Sequence, residues 1–246
     1  FFIGKTISGI LEEEIHYGKS MLGNGKKILI EFSSPNTNKP QHLGHIRNNI
    51  LGMALSNLLE KTGYRVIRVN LINDRGIHIC KSMLAYKLWG DGKTPENTGK
   101  KGDHFVGDYY VMFEKNAKED ENLLIKAQEM LRKWEDGDKE TIALWKKMNN
   151  WVYEGFNETY TRLGIKFDKV YYESDTYKLG KEIVLKALEN SKCYKNEIGE
   201  IVIDLSDKGL GKKVLLRKDG TSIYITQDIG NAKLRFDEYG MDSSIY

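Results

Sequence analysis

Residues 27–32 read Lys-Ile-Leu-Ile-Glu-Phe, a short and almost unbroken apolar run, and a strand of that kind is stable where both of its faces are covered. That condition is met in a parallel sheet with helices on either side. A polar loop follows over 33–41. Apolar residues then recur at 43, 46, 50, 54 and 58, joined by 51, 55 and 59, a wide stripe at 3.6-residue spacing that predicts a buried helix face. Gly63 stops this helix, and 65–71 alternates into a second strand. Residues 27–71 therefore read as one β-α-β unit with a right-handed crossover, which commits the chain to an α/β fold.

The other segments extend that plan. Ahead of it, Ile7, Ile10, Leu11 and Ile15 alternate with Glu12, Glu13 and Glu14 at helical period, predicting a helix over 6–22 that Gly23-Asn24-Gly25 ends. The middle of the chain is helical and more polar, with breaks at 90–92, Pro95 and 99–102. The longest helix is expected to start at Asp138 as N-cap and to bury Ile142, Trp145, Met148, Val152, Phe156 and Tyr160, which recur at spacings of 3 or 4. These aromatics are read as core. After Gly164 come a strand over 167–172, a helix over 177–188, a β-rich stretch at 200–205 and 212–217, and a turn at Asp219-Gly220. A strand over 222–226, a helix over 228–239 and the opening of a strand at 244–246 complete the chain. No repeat or low-complexity tract is present. The expectation is a doubly wound, mostly parallel α/β sheet with a helical insertion at about 85–160 and a β-hairpin insertion at about 192–218. Residues 1–23 are expected to be the end of a preceding domain or a linker helix, and 24–246 the main domain.

Composition narrows the function classes. The 246 residues carry 38 Lys+Arg against 35 Asp+Glu, a net charge of +3, which excludes a basic nucleic-acid module acting through its overall field. Any polyanion must be held by a local patch. With 40% hydrophobic and 11% aromatic residues there is ample material for a core, so disorder is excluded. Cys80 and Cys193 form neither a disulfide framework nor a paired zinc pattern, and a reducing, cytoplasmic compartment is expected. The most apolar stretch, 43–59, is interrupted by His45, Arg47, Asn48, Asn49 and Asn57, so no membrane span is expected. The chain starts Phe1-Phe2-Ile3 without Met or a basic leader and stops where a strand opens, so an excised piece, truncated at the C-terminus, is expected.

The chemistry concentrates in the loop after the first strand. His42 and His45 are three apart in what should be a first helical turn, so both imidazoles can point the same way, and Gly44 between them admits close approach to the backbone. Free amides at the helix N-terminus, together with Lys39, make a phosphate site suited to charge on a transferring α-phosphate. By itself His-x-x-His can also be a helix-surface coincidence or a metal pair. No third His, Cys or carboxylate lies at ligand spacing, so no protein-held metal is expected, with Glu31 and Cys80 left open in three dimensions.

Longer motifs carry a resemblance. Glu31-Phe32-Ser33-Ser34-Pro35-Asn36, then Lys39-Pro40, His42-Leu43-Gly44-His45, Arg47-Asn48-Asn49 and Asn73-Asp74-Arg75-Gly76 resemble arginyl-tRNA synthetases, of class I. So do Gly102-Asp103-His104, Asn149-Asn150-Trp151-Val152, and the run from Asp219 through Tyr224-Ile225-Thr226-Gln227-Asp228 to Gly230. The resemblance implies a Rossmann-like catalytic domain and arginine–tRNA ligase activity: ATP, with Mg2+, activates arginine to the adenylate, and the 3′ end of the arginine tRNA accepts it. It assigns Lys39, His42 and His45 to catalysis, Ser33, His42, Gly44 and His45 to ATP, and Glu31, Asn36, Tyr224 and Asp228 to arginine. The chemistry suits these residues, because a guanidinium is a planar fork of donors that stays charged and calls for carboxylates and an amide. Asp228 can equally cap the following helix, and Tyr224 can be a core strand aromatic.

The sequence departs from the family where Arg75 and Gln227 stand at positions that often carry Trp and Arg. No Lys-Met-Ser-Lys-Ser signature occurs within these 246 residues, and it and the family's anticodon-reading domain are expected to lie outside them. Since the family typically needs tRNA even to activate arginine, the excised piece is expected to be inactive alone. The whole enzyme is expected to be a monomer. Two other readings stay open: another His-x-Gly-His adenylyltransferase, and a non-catalytic tRNA-binding relative.

Overall fold

The computed structural model describes residues 2–246. Helix α1 (Phe2–Glu13) has no buried residue. It is shorter than the 6–22 expected, and the chain turns at Glu14, whose φ is 49°. Ile7, Ile10 and Leu11 lie exposed, so no packing holds the further turns that periodicity alone suggests.

Strand β1 (Lys27–Glu31), helix α2 (Leu43–Lys61) and strand β2 (Arg65–Ile72) form the expected unit, with β1 and β2 parallel from Lys27 opposite Arg65 to Glu31 opposite Val69. The face by which α2 packs is not the predicted one. Leu43, Ile50, Leu51 and Leu58 are exposed, whereas Asn49, Gly52 and Ser56 are buried, flanked by partly buried Met53, Leu55 and Leu59. Closeness decides this. A Cβ at Gly52 would lie 2.2 Å from Cγ of Phe32, so only glycine lets the helix down onto that ring. The polar neighbours are used by the loop: Asn48 Oδ1 accepts the Ser33 N–H at 2.6 Å, and Asn49 Nδ2 donates to Gln41 at 3.0 Å.

Five helices, α3 (Ile77–Trp89), α4 (Pro95–Thr98), α5 (Gly102–Asn116), α6 (Asn122–Glu135) and α7 (Lys139–Leu163), connect β2 to strand β3 (Lys169–Tyr172). As expected, α7 begins at Asp138, which accepts the Thr141 N–H at 2.9 Å, and it buries Met148, Val152, Phe156 and Tyr160, whereas Ile142 and Trp145 on the same predicted face are only partly buried. These join Ile28, Ile30, Phe32 and the inner faces of α3 and α5 in the main core. Helices α8 (Glu173–Thr176) and α9 (Leu179–Glu189) lead to an antiparallel sheet of β4 (Tyr194–Lys195), β5 (Ile201–Leu205) and β6 (Gly211–Leu216). Helix α10 (Tyr224–Tyr239) and strand β7 (Ser243–Ile245) finish the chain.

The main sheet has the order β3-β2-β1-β7, and every pairing in it is parallel. The chain winds outward from β1 to β3 and then returns to the other side of β1. That reversal opens a crevice at the carboxyl end of β1, where ligands of doubly wound sheets bind.

The strand expected over 222–226 is instead the start of α10, with only an isolated bridge between Leu216 and Ser222. The β-branched residues there favour a strand, but tertiary contacts override them. Thr226 Oγ1 accepts the Ile223 N–H at 3.4 Å and donates to the Leu215 carbonyl. Gly180 on α9 makes room for this turn, since a Cβ there would fall 1.7 Å from the Thr226 carbonyl oxygen. Gly180→Ala is expected to push the first turn of α10 off α9 and to destabilise by about 1–3 kcal/mol, the usual cost of overpacking. An unchanged denaturation midpoint would contradict this packing.

Candidate active site

Glu31 ends β1, and the loop after it is built under strain. Ser33 and Ser34 both sit at positive φ, 76° and 44°. Non-glycine residues hold such conformations only where the surroundings over-determine them. Here they do. Ser33 Oγ and Tyr160 Oη share a hydrogen bond of 2.6 Å, and Asn70 Nδ2 donates to the same Tyr160 oxygen at 3.2 Å. Asn70 Oδ1 accepts the Ser34 N–H at 3.0 Å, and Ser34 Oγ donates to Glu31 Oε1 at 2.9 Å. Two backbone bonds, Thr37 N–H to Asn73 O and Asn73 N–H to Pro35 O, stitch the loop to the end of β2. The loop is thereby fixed to α2, β2 and α7 at once.

A cavity of about 750 Å³ opens beside it, and Glu31, Asn36 and Lys39 from the loop meet Tyr224, Gln227, Asp228 and Asn231 from α10 on its walls. The four residues expected to bind arginine thus share one cavity, and Lys39 shares it with them. Tyr224 and Asp228 occupy successive turns of one helix, because α10 starts at Tyr224. Asp228 is therefore not a helix cap, since the cap position belongs to Ile223. Tyr224 is not a core aromatic; it is 86% exposed at the mouth.

Charge in the cavity is uneven. Glu31 pairs with Arg235, a guanidinium only 1% exposed that lies 5.1 Å from the Tyr171 ring. Among the described residues, Nε and Nη2 of Arg235 have no hydrogen-bond partner. Sequence reasoning missed this internal arginine, although its place eleven residues after Tyr224 and seven after Asp228 continues the same helix face. Asp228, by contrast, has no hydrogen-bond or ion-pair partner among the described residues. Burial and the negative charge of Glu31 raise its pKa above the ordinary aspartate value, and Arg235 only partly offsets them.

His42 and His45 stand at the N-terminus of α2, off the cavity walls, with ring centroids 4.1 Å apart. Their hydrogen bonds decide their tautomers. His42 Nδ1 accepts the Gly44 N–H at 3.1 Å, and His45 Nδ1 accepts the His42 N–H at 3.2 Å. A neutral ring that accepts at Nδ1 carries its proton on Nε2, so each imidazole presents an Nε2–H donor. Burial, then His42 and Lys39, lower the pKa of His45, which keeps it neutral. Gly44 is exposed, and a Cβ there would lie 2.9 Å from His42 Cε1. Ser33 is buried with its hydroxyl on Tyr160, which makes it part of the loop's support.

Asp74 is a second feature that sequence spacing did not reveal. Its buried carboxylate accepts from Ser174 N–H at 2.8 Å, Ser174 Oγ at 2.7 Å and Tyr153 Oη at 2.9 Å. Its carbonyl accepts from Trp145 Nε1 and Asn149 Nδ2. This residue ties the ends of β2 and β3 to α7. The two departures from the family pattern, Arg75 and Gln227, meet on the cavity wall at Glu173. Among the described residues, no group of three or more His, Cys, Asp or Glu could hold a metal ion.

Comparison with known proteins gives a consistent result. Residues 6–246 match the family described as tRNA synthetases class I (R), catalytic domain. An arginine–tRNA ligase of Parabacteroides distasonis is 55% identical over 236 residues, covering 89% of this chain and 40% of the relative. One from Porphyromonas gingivalis is 50% identical over 254 residues, covering 96% of this chain and 42% of the relative. The chain thus spans about 40% of the length of the curated relatives it matches. Among solved structures, the arginyl-tRNA synthetase of Thermus thermophilus superposes with a TM-score of 0.75 at 28% identity, over 93% of this chain and 38% of that one. With the two motif-bearing segments folded around one cavity and the match running from residue 6 to residue 246, the chain belongs to the catalytic-domain family of the class I arginyl-tRNA synthetases.

Proposed function

We propose that this protein is an arginine–tRNA ligase: it activates L-arginine with Mg-ATP to arginyl-adenylate and pyrophosphate, then transfers arginine to the 3′ end of its tRNA. The single observation that carries the reading is that Glu31, Asn36, Lys39, Tyr224 and Asp228 meet on the walls of one cavity, where the solvent-facing Asp228 carboxylate has no hydrogen-bond or ion-pair partner among the described residues. Such a group is satisfied by a cation, and a guanidinium offers it two parallel donors.

The membership of the family supports the following course for the reaction. Asp228 takes the substrate guanidinium, with Tyr224 closing the mouth, while Glu31 and Asn36 receive the substrate's other polar groups. Arginine's carboxylate attacks the α-phosphorus of ATP and pyrophosphate leaves. The terminal adenosine hydroxyl of tRNA then attacks the adenylate carbonyl and releases AMP. No protein nucleophile is required; positioning and charge stabilisation supply the rate. Lys39 and the Nε2–H donors of His42 and His45 offset charge on the transferring phosphate, with Ser33 and Gly44 shaping the loop that carries them. Mg2+ arrives on the phosphates of ATP and neutralises part of their charge there.

We further infer a cytoplasmic monomer, with residues 1–23 as the end of a preceding domain or a linker helix. Two free, buried thiols, Cys80 and Cys193, suit a reducing compartment. The test is arginylation of tRNA by the full-length enzyme with ATP. Arginine is expected to be transferred and lysine not; ATP protection without transfer, or adenylylation of a different acceptor, would defeat the reading.

A further inference from the structure

Arg75 lies on the wall of the cavity, yet its charge is turned inward. Its side chain is 13% exposed, and its guanidinium carbon lies 4.0 Å from the Tyr177 ring centroid and 5.4 Å from that of Trp134. Nη2 donates to Glu135 Oε1 at 2.8 Å, and Nη1 stands 3.9 Å from Glu173 Oε1. An exposed ion pair would contribute little. This cation is desolvated and stacked, and such a guanidinium holds its partners in fixed directions.

The chain of contact continues across the cavity wall. The Glu173 oxygen that faces Arg75 also accepts from Gln227 Nε2 at 2.9 Å. Gln227 is the residue before Asp228 on α10. In the first turn of α10 Tyr224 and Ile225 are exposed, and Thr226 holds the turn, accepting the Ile223 N–H, donating to the Leu215 carbonyl and packing on Gly180. A helix end pinned at one residue can roll. The Gln227–Glu173–Arg75 relay supplies a second pin, and α6 anchors it through Trp134 and Glu135.

We propose that Arg75 is a positioning residue of the arginine pocket, acting through Glu173 and Gln227 to hold the start of α10, and with it Asp228, against the cavity. The proposal rests on the arginine-pocket reading above. Burial of Glu173 favours its protonated form, while Arg75 and Gln227 favour the carboxylate and nearby Asp74 opposes them. Removing the Arg75 charge weakens the oxygen to which Gln227 is tied.

The test uses the full-length enzyme and separates KM from kcat in tRNA arginylation. Arg75→Gln is expected to raise KM for arginine about 10-fold, while KM for ATP and kcat change by less than about 3-fold, because only the placement of the guanidinium partner is disturbed. Exchanging the two side chains, Arg75→Gln with Gln227→Arg, puts the cation on the other side of Glu173 and is expected to bring KM for arginine back to within about 3-fold of wild type. If the glutamine variant does not fold, Arg75→Lys keeps the charge but loses the stacked fork, and an arginine-selective rise of about 3-fold is expected. An unchanged KM for arginine, equal rises for arginine and ATP, or an exchange variant no better than the single one would each overturn the proposal. Wild-type enzyme without arginine-dependent product would instead overturn the pocket reading itself.

Discussion

Asp228→Asn is expected to lower kcat/KM for arginine on the order of 10–10²-fold, since a hydrogen bond to a charged group contributes about 1.5–3 kcal/mol. Asparagine keeps the shape of the side chain and removes only its charge. The loss should therefore fall on arginine and leave ATP saturation nearly unchanged. The residue has no internal partner to release, in contrast to Glu31, which is committed to Arg235 and Ser34. A pH signature accompanies it. In the empty protein the Asp228 pKa is raised by burial and by Glu31. A guanidinium prefers the ionised form, so arginine affinity is full above that raised pKa and declines as pH falls through it, starting above the usual carboxylate range. In the asparagine variant this part of the pH dependence should vanish. Arginine kinetics indistinguishable from wild type would remove Asp228 from the pocket.

His45→Ala is expected to slow adenylate formation by about 10²–10³, the loss that follows removal of one preorganised donor to developing charge. The hydrogen-bond pattern adds a finer expectation. Because Nδ1 of His45 accepts the His42 N–H and its pKa is lowered, the ring works as a neutral Nε2–H donor. The rate attributable to it should reach its plateau below the ordinary histidine pKa and stay level above it, where a histidine acting as a cation would lose its charge. Alanine also removes a bond from the start of α2, for which a stability loss of about 0.5–1 kcal/mol is expected. Measuring arginine-dependent ATP–pyrophosphate exchange with tRNA present, well below the melting temperature, separates the two effects. An unchanged exchange rate would exclude the phosphate role of this histidine.

Much of the architecture was legible because it depends on local patterns. The unbroken apolar run of β1 implied a strand covered on both faces, Asp138 and Gly164 bounded α7, and the 3- and 4-residue spacing of its aromatics marked the buried face. Errors arose where an outside contact outweighed the local preference. Only the edge of the predicted stripe on α2, at 46, 55 and 59, is partly buried, while 43, 50, 51, 54 and 58 stay exposed, because Gly52 and Asn49 allow the close approach and the bonds that the leucines would block. The Ile223-Tyr224-Ile225-Thr226 stretch had strand propensity, yet Gly180 and the Leu215 carbonyl draw it into a helix.

The same division holds for the site. Motifs pointed to Glu31, Asn36, Lys39, Tyr224 and Asp228, and these do meet at one cavity although nearly 200 residues separate the first from the last. Sequence by itself determined the residue types available for that chemistry and the β-α-β frame that places them at the end of β1, since both follow from short-range order. Only the tertiary structure decided which charges are free. Arg235 takes Glu31, Tyr160 holds Ser33, and Arg75 lies against the rings of Tyr177 and Trp134. Asp228 alone among the expected arginine-site carboxylates is left without a partner. Such pairings depend on distance and desolvation between segments remote in the chain, and no spacing along a sequence encodes either quantity.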